Sequence, residues 1–219
     1  MDFQLSEHQV AIRDAVAKLC SRFGEDYWQR EDQGHEYPQE FVDALQEGGW
    51  LSLLIPEEYG GGGGDFRHES VLIAAQAQAF DTSWGVSLHN GIVAHYILAY
   101  GTEEQKQAWL PKMASGEAVG AIAMTEPGTG SDLQNVKTRA IKTGGEYVIN
   151  GSKTFITNGY TCDVAVIAAK TNPDAKARGI SLFAVDCSLP GFERGRKLDK
   201  VGQPEADTAE LFYSDLRVP

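Results

Sequence analysis

The sequence predicts an α+β protein in two units: an all-α helical domain over residues 1–117 and an antiparallel β-barrel or sandwich over residues 118–219. Three observations carry that reading. Helix caps and apolar side chains at three- and four-residue steps fill the first half. Short Val- and Ile-rich runs between turn signals fill the second. The charge changes at the same place: residues 1–117 hold 7 Lys and Arg against 19 Asp and Glu, whereas residues 118–219 hold 12 of each. The whole net charge of −12 therefore belongs to the helical half. A chain of 219 residues removes roughly 70% of its surface from water on folding, enough for a sizeable core.

In the helical half, Ser6 and Gln9 have capping-box spacing, and Ile12, Val16, Leu19 and Phe23 follow on one face. Pro38 suits a first turn, Phe41 and Leu45 continue an apolar stripe, and Gly48-Gly49 stops it. Trp50 to Ile55 is short and apolar, and Pro56 breaks it. Gly60 to Gly64 is a run of glycines with no Lys-Ser/Thr after it, so a P-loop is excluded and a flexible surface loop is expected. Helices are predicted over Phe66 to Phe80 and Gly85 to Tyr100, with Gly101 as the stop. Thr102 and Gln105 form a second capping box, opening a helix that ends near Ser115-Gly116.

Beyond Gly116 the pattern becomes that of strands. Ala118 to Thr125 is small and apolar. Tyr147-Val148-Ile149 and Thr154-Phe155-Ile156 flank Asn150-Gly151, which predicts a two-residue hairpin. Asp163 to Thr171, Gly179 to Asp186 and Glu210 to Tyr213 are the further predicted strands.

Composition narrows the function. An acidic chain is a poor partner for nucleic acid or for an anionic membrane surface. Cys20, Cys162 and Cys187 are an odd, scattered set without CxxC, so neither zinc nor a disulfide framework is expected, and a reducing compartment is. Met1-Asp2-Phe3-Gln4 is unlike a signal peptide, and Gly85 to Tyr100 is too short and polar to span a bilayer. A cytoplasmic location is expected, with a processed mitochondrial-matrix form as the alternative. His8, His35, His68, His89 and His95 show no metal spacing, and there is no GxSxG elbow.

The most unusual segment is Ala123-Met124-Thr125-Glu126-Pro127-Gly128-Thr129-Gly130-Ser131-Asp132, where a strand enters a loop of Gly, Thr and Ser. Free N–H groups and small hydroxyls suit a pyrophosphate or a flavin pyrimidine edge. A plain sheet corner fits the same pattern, and it is not a Rossmann fingerprint. The residues alone leave both readings open.

That segment closely resembles the first signature of the acyl-CoA dehydrogenases. Asn150 to Gly159 (NGSKTFITNG) resembles the family's next flavin segment, and Asp207 to Phe212 with Asp215 to Pro219 is similar to the end of its middle domain. Pro56-Glu57-Glu58-Tyr59-Gly60-Gly61 and Glu103-Glu104-Gln105-Lys106 also recur in the family. The resemblance covers essentially the whole chain in order. The wording of Gly120 to Met124 and of Gly195 to Leu198 is similar to the long-chain type.

The resemblance implies a helical domain, a middle β domain and a C-terminal helical domain, of which this sequence corresponds to the first two. It implies FAD as cofactor and α,β-dehydrogenation of an acyl-CoA thioester, as in fatty-acid β-oxidation. It also implies an electron-transferring flavoprotein as acceptor and a homo-oligomer, tetramer or dimer. The implied cofactor contacts are Ile122, Ala123, Met124, Thr125, Gly130, Ser131, Phe155, Ile156 and Thr157. Thr125 and the backbone of Met124 serve the pyrimidine edge, Thr157 the N5/O4 side, and Phe155 the ring face, where many relatives have Trp. Ser131, Lys170 and Thr171 are the implied CoA contacts. Glu126 invites a catalytic-base reading, but its family position is a structural one in the turn. The base is expected beyond residue 219, so no catalytic residue and no metal ligand is named. Thr129 stands where Ala is usual, Asn135 where a smaller residue is usual, and Gln203-Pro204-Glu205-Ala206 departs from the family's basic-x-Ser pattern. Two other readings remain: a non-catalytic truncated binding module, and a flavin oxidase on the same scaffold, such as an acyl-CoA oxidase.

Overall fold

The computed structural model describes residues 4–79 and 85–219. Helix α1 (Glu7–Cys20) starts at Ser6, whose hydroxyl accepts from the Gln9 N–H while the Gln9 side chain accepts from the Ser6 N–H. Helix α2 (Glu25–Gly34) has no counterpart among the predicted elements; Tyr27 is its only buried residue, so it shows no apolar stripe. It is held by an aromatic knot: Phe23 lies 5.0 Å from Tyr27 and 5.2 Å from Phe41, and Trp28 lies 5.0 Å from Phe41, all edge-on. Helix α3 (Gln39–Glu47) follows Pro38 and ends at Gly48-Gly49.

The glycine run is a loop, but it is packed rather than free, which corrects the flexible-loop expectation. The N–H groups of Gly61, Gly62, Gly63 and Gly64 donate to carbonyls of Pro56, Ser52, Ile55 and Leu53 at 2.8–3.1 Å. A Cβ at Gly61 would stand 1.9 Å from the Ile55 carbonyl oxygen, so only glycine permits this approach.

Helix α4 (Phe66–Gln78) is capped by Asp65; the predicted end at Phe80 lies outside the described residues. A π-helix, Ser87–Ala94, runs into α5 (His95–Tyr100), and α6 (Glu103–Ser115) opens on the Thr102 capping box. No described helix is long and apolar enough to cross a membrane.

The second half is one seven-stranded sheet in the order β1-β4-β2-β3-β7-β6, with β5 paired to β4. Its strands are β1 (Gly120–Ala123), β2 (Arg139–Thr143), β3 (Glu146–Thr157), β4 (Val164–Lys170), β5 (Ile180–Asp186), β6 (Phe192–Lys197) and β7 (Thr208–Val218). Pairing is mixed rather than wholly antiparallel, because β1 lies parallel to β4. The predicted turn at Asn150-Gly151 is instead an irregularity inside the long strand β3, where pairing with β7 slips between Ile149 and Gly151. A Cβ at Gly151 would sit 2.4 Å from Thr138 Oγ1, so this glycine serves close approach and not chain reversal. The reversal is made by Gly144-Gly145, between β2 and β3.

Strand β4 is buried on both faces. Ala165, Ile167 and Ala169 face the sheet's own core with Ile149, Leu211 and Leu216. Val164 and Val166 pack against Val93, Ile97, Leu110 and Met113 of the helices. His89 joins the two units: the Gly120 N–H donates to its Nδ1 at 3.2 Å, and its Nε2 lies 3.1 Å from the Met113 carbonyl. Only the neutral ring with the proton on Nε2 makes both bonds, and burial pushes its pKa down to about 4.

Candidate functional site

The loop after β1 is organised by one buried ion pair. Glu126 receives the Lys137 N–H at 2.6 Å and the Thr138 N–H at 3.0 Å. Lys153, whose side chain is fully buried, donates to Glu126 Oε1 at 3.0 Å and to the Met124 carbonyl at 2.9 Å. Burial raises the Glu126 carboxyl, but the hydrogen bonds from Thr138, Lys137 and Lys153 outweigh it and bring it below the ordinary value. Burial also lowers Lys153, opposed by Glu126. The direction that stands for the pair is the charged one. Glu126 is met by two main-chain N–H groups besides the ammonium, so its charge is well satisfied.

The turn Glu126-Pro127-Gly128-Thr129 closes on itself by two main-chain bonds of 2.9 and 3.0 Å. Thr129 fits without crowding: its hydroxyl bonds the Asn135 carbonyl at 3.2 Å, and Asn135 in turn bonds Asp132. The loop is tied to β3 by the Thr154 N–H to the Thr125 carbonyl at 2.9 Å. The first two signature segments therefore lie side by side.

At the end of β3, Phe155 adopts φ +57° and is 68% exposed. A non-glycine residue in the left-handed region costs of order 1–3 kcal/mol. Asn158 is also left-handed, and its side chain donates to the Gly120 carbonyl at 3.1 Å. The turn that follows is held by Asp207, which accepts from the N–H groups of Tyr160 and Thr161 and from the Thr161 hydroxyl at 2.7–3.1 Å. The third signature segment thus supports the second. Neither Asp207 nor Lys153 has a predicted role. Their signal in the sequence was only that both fall inside signature segments.

The comparisons with known proteins agree in kind. The model of the acyl-CoA dehydrogenase N-terminal domain matches residues 6–117, and that of the middle domain matches residues 121–216. The chain belongs to the acyl-CoA dehydrogenase family. It is 43% identical over 216 residues to the mitochondrial long-chain specific acyl-CoA dehydrogenase of Rattus norvegicus, covering 98% of this chain and 50% of that one. A crystal structure of acyl-CoA dehydrogenase from Geobacillus kaustophilus superposes with TM-score 0.93 at 45% identity, covering 100% of this chain and 58% of that one. A chain in a structure titled for the electron transferring flavoprotein of Acidaminococcus fermentans gives TM-score 0.93 at 35% identity, with the same coverage. The chain spans about half the length of the curated relatives it matches.

Within this dehydrogenase scaffold Gly130 and Ser131 lie exposed in the loop after β1, and the other predicted contacts fall into three groups. Met124, Thr125, Phe155 and Thr157 lie on the adjoining segments described above. Ala123 and Ile156 are buried in the sheet core and Ile122 is half-buried against the helices, so they can offer a ligand little besides backbone. Lys170 and Thr171 close β4: the Lys170 N–H donates to the Thr138 carbonyl, and the Thr171 hydroxyl is shared between Gly179 and Ser181.

The donor set fits a flavin. The hydroxyls of Thr125, Ser131 and Thr157 make no hydrogen bond among the described residues. A Cβ at Gly128 or Gly130 would meet nothing within 4 Å, so the loop is open on that side. An exposed aromatic residue on one segment, tied by its backbone to a loop rich in hydroxyls, matches an isoalloxazine, which needs stacking on one side and donors at one edge. Among the described residues no group of three or more His, Cys, Asp or Glu could hold a metal.

Proposed function

We propose that this chain, with a domain division near residue 117, forms part of an FAD-dependent dehydrogenase that oxidises an acyl-CoA thioester between its α and β carbons. The observation that carries the reading is the strained, exposed Phe155 on the segment tied to the Thr125 loop, where the hydroxyls of Thr125 and Thr157 make no hydrogen bond among the described residues. Strain of that kind clusters at active sites and ligand clamps.

When bound, FAD supplies the acceptor for the hydride from the β carbon. The chain's own residues bind and orient. Thr125 and the Met124 backbone hold the pyrimidine edge, where negative charge accumulates on reduction, and preorganised donors stabilise such charge most effectively. Thr157 would donate on the N5/O4 side, and Phe155 would cover a ring face and exclude water. Gly130 and Ser131 take the cofactor phosphates, and Ser131, Lys170 and Thr171 the CoA portion. Glu126 does not remove the α proton: it is held by two N–H groups and an ammonium in a buried turn. The proposal takes that base from outside these residues, and places the protein in the cytoplasm or mitochondrial matrix, as a homo-oligomer delivering electrons to an electron-transferring flavoprotein.

The test is spectroscopic. The protein at its native length, reconstituted with FAD, should be yellow and bleach on anaerobic addition of an acyl-CoA. Failure to take up FAD sinks the reading. Rapid oxygen consumption without an added acceptor moves it to the oxidase form.

A further inference from the structure

One pair of thiols has no role in the function above. Cys162 and Cys187 place their Sγ atoms 3.5 Å apart, and both are buried and free. They lie where β4 begins and β5 ends, joined there by the Cys187 N–H to the Asp163 carbonyl at 2.9 Å. We propose that Cys162 and Cys187 are a modification site that closes into a reversible disulfide, with hydrogen peroxide as the oxidant.

The geometry favours closure within the chain. A disulfide requires sulfurs about 2 Å apart on neighbouring backbone segments, and these two already lie 3.5 Å apart. Arg194 clamps both backbones, its Nη2 to the Cys162 carbonyl at 2.6 Å and its Nη1 to the Cys187 carbonyl at 3.4 Å. A pocket of ≈ 300 Å³ lined by Cys187, Arg194, Ser188 and Trp109 opens beside Cys187, with volume enough for a peroxide molecule. The third cysteine, Cys20, sits in the core of the helical half, so it does not compete.

The chemistry balances. One thiol opens the O–O bond, becoming a sulfenic acid with loss of water. The other thiol attacks that sulfur, forming the S–S bond and releasing a second water. Two thiols thereby lose two electrons, and one peroxide is reduced to two waters. The hydrogen bond with Cys162, and then burial, hold the Cys187 thiol well above its ordinary value, so closure is slow and needs excess peroxide.

The bridge would tighten the turn behind the proposed flavin segment, because the Cys162 N–H donates to the Asn158 carbonyl at 2.8 Å. This consequence rests on the flavin reading; the bridge itself does not.

The test treats folded protein with peroxide, blocks remaining thiols, digests it and maps peptides by mass spectrometry. A peptide containing Cys162 joined to Cys187, reversed by dithiothreitol and absent in Cys187→Ser, is the expected result, with a melting temperature raised by a few degrees. Two separate thiols, separate sulfinic acids, or a joined peptide formed only in denaturant overturns the proposal. Flavin absorbance read on the same sample tests the consequence separately, since the peptide result stands whether or not FAD is bound.

Discussion

Two buried glutamates, Glu126 in the β half and Glu69 in the helical half, are treated in opposite ways. In the β half, Glu126 is met by an ammonium and two main-chain N–H groups, and its carboxyl falls below the ordinary range. In the helical half, Glu69 projects from α4 toward the π-helix, with its Oε2 only 2.8 Å from where a Cβ on Gly91 would stand. It is 4% exposed, its Oε1 has no hydrogen-bond partner, and burial pushes its carboxyl up to about 7. Burial is common to both, so partners alone decide whether the charged form is favoured. The β half uses its pair to fix the loop that presents Met124 and Thr125. The helical half keeps a carboxyl that holds its proton to a higher pH than an ordinary glutamate.

The sharpest way to break that contrast is to remove the partner in the β half. Lys153→Met leaves the Glu126 charge buried without its ammonium and strips the Met124 carbonyl of its donor, which should destabilise by about 3–5 kcal/mol. The double variant with Glu126→Gln removes the stranded charge and should recover a substantial part of that loss. Denaturant midpoints on the three proteins check it. A single variant within about 1 kcal/mol of the parent would show that the pair does not fix the loop.

The helical half should respond to pH instead. The folded-state pKa of Glu69 is raised from 4.5 to about 7, so the native state binds more protons than the unfolded chain between those values. Glu69's contribution to stability is therefore intact below about pH 4.5, declines as pH rises to about 7, and is constant above it. Glu69→Gln should remove that decline, so the variant should gain about 1–3 kcal/mol on the parent between pH 5 and pH 8. Parallel stability curves for the two proteins would refute a raised carboxyl at this position.

The same contrast explains what the sequence made legible. Elements defined by local rules were readable: the capped helices at Ser6 and Thr102, the stripe of α3, and the apolar run of β4. Two strands and a helix were not. Strand β2 (Arg139–Thr143) and strand β6 (Phe192–Lys197) are charged and largely exposed, and owe their form to partners distant in sequence. Helix α2 depends on an aromatic cluster assembled from three segments. At the candidate site, the signature segments were visible as text, but their mutual support was not. Lys153 sits between Ser152 and Thr154 with nothing local to mark it as the partner of Glu126, 27 positions away. Asn150-Gly151 misled because a glycine needed for close approach to Thr138 carries the same letters as a hairpin turn.

The smallest effect on stability is the most informative about the site. Phe155 combines left-handed backbone with a 68% exposed ring, so its side chain contributes little burial while its backbone is strained. Phe155→Ala keeps the strain and removes the ring. Phe155→Gly removes both, and although glycine adds freedom to the unfolded chain, it should be more stable than the alanine variant by about 1 kcal/mol. If the ring serves only packing, both variants lose stability and neither has a selective effect on ligand affinity. If it covers the flavin, both should lose about tenfold or more in FAD affinity, equivalent to about 1.4 kcal/mol, while the glycine variant remains as stable as the parent or slightly more so. Flavin titration set beside thermal melting of the three proteins separates the outcomes. Unchanged FAD affinity in Phe155→Gly would remove the observation on which the proposed function rests.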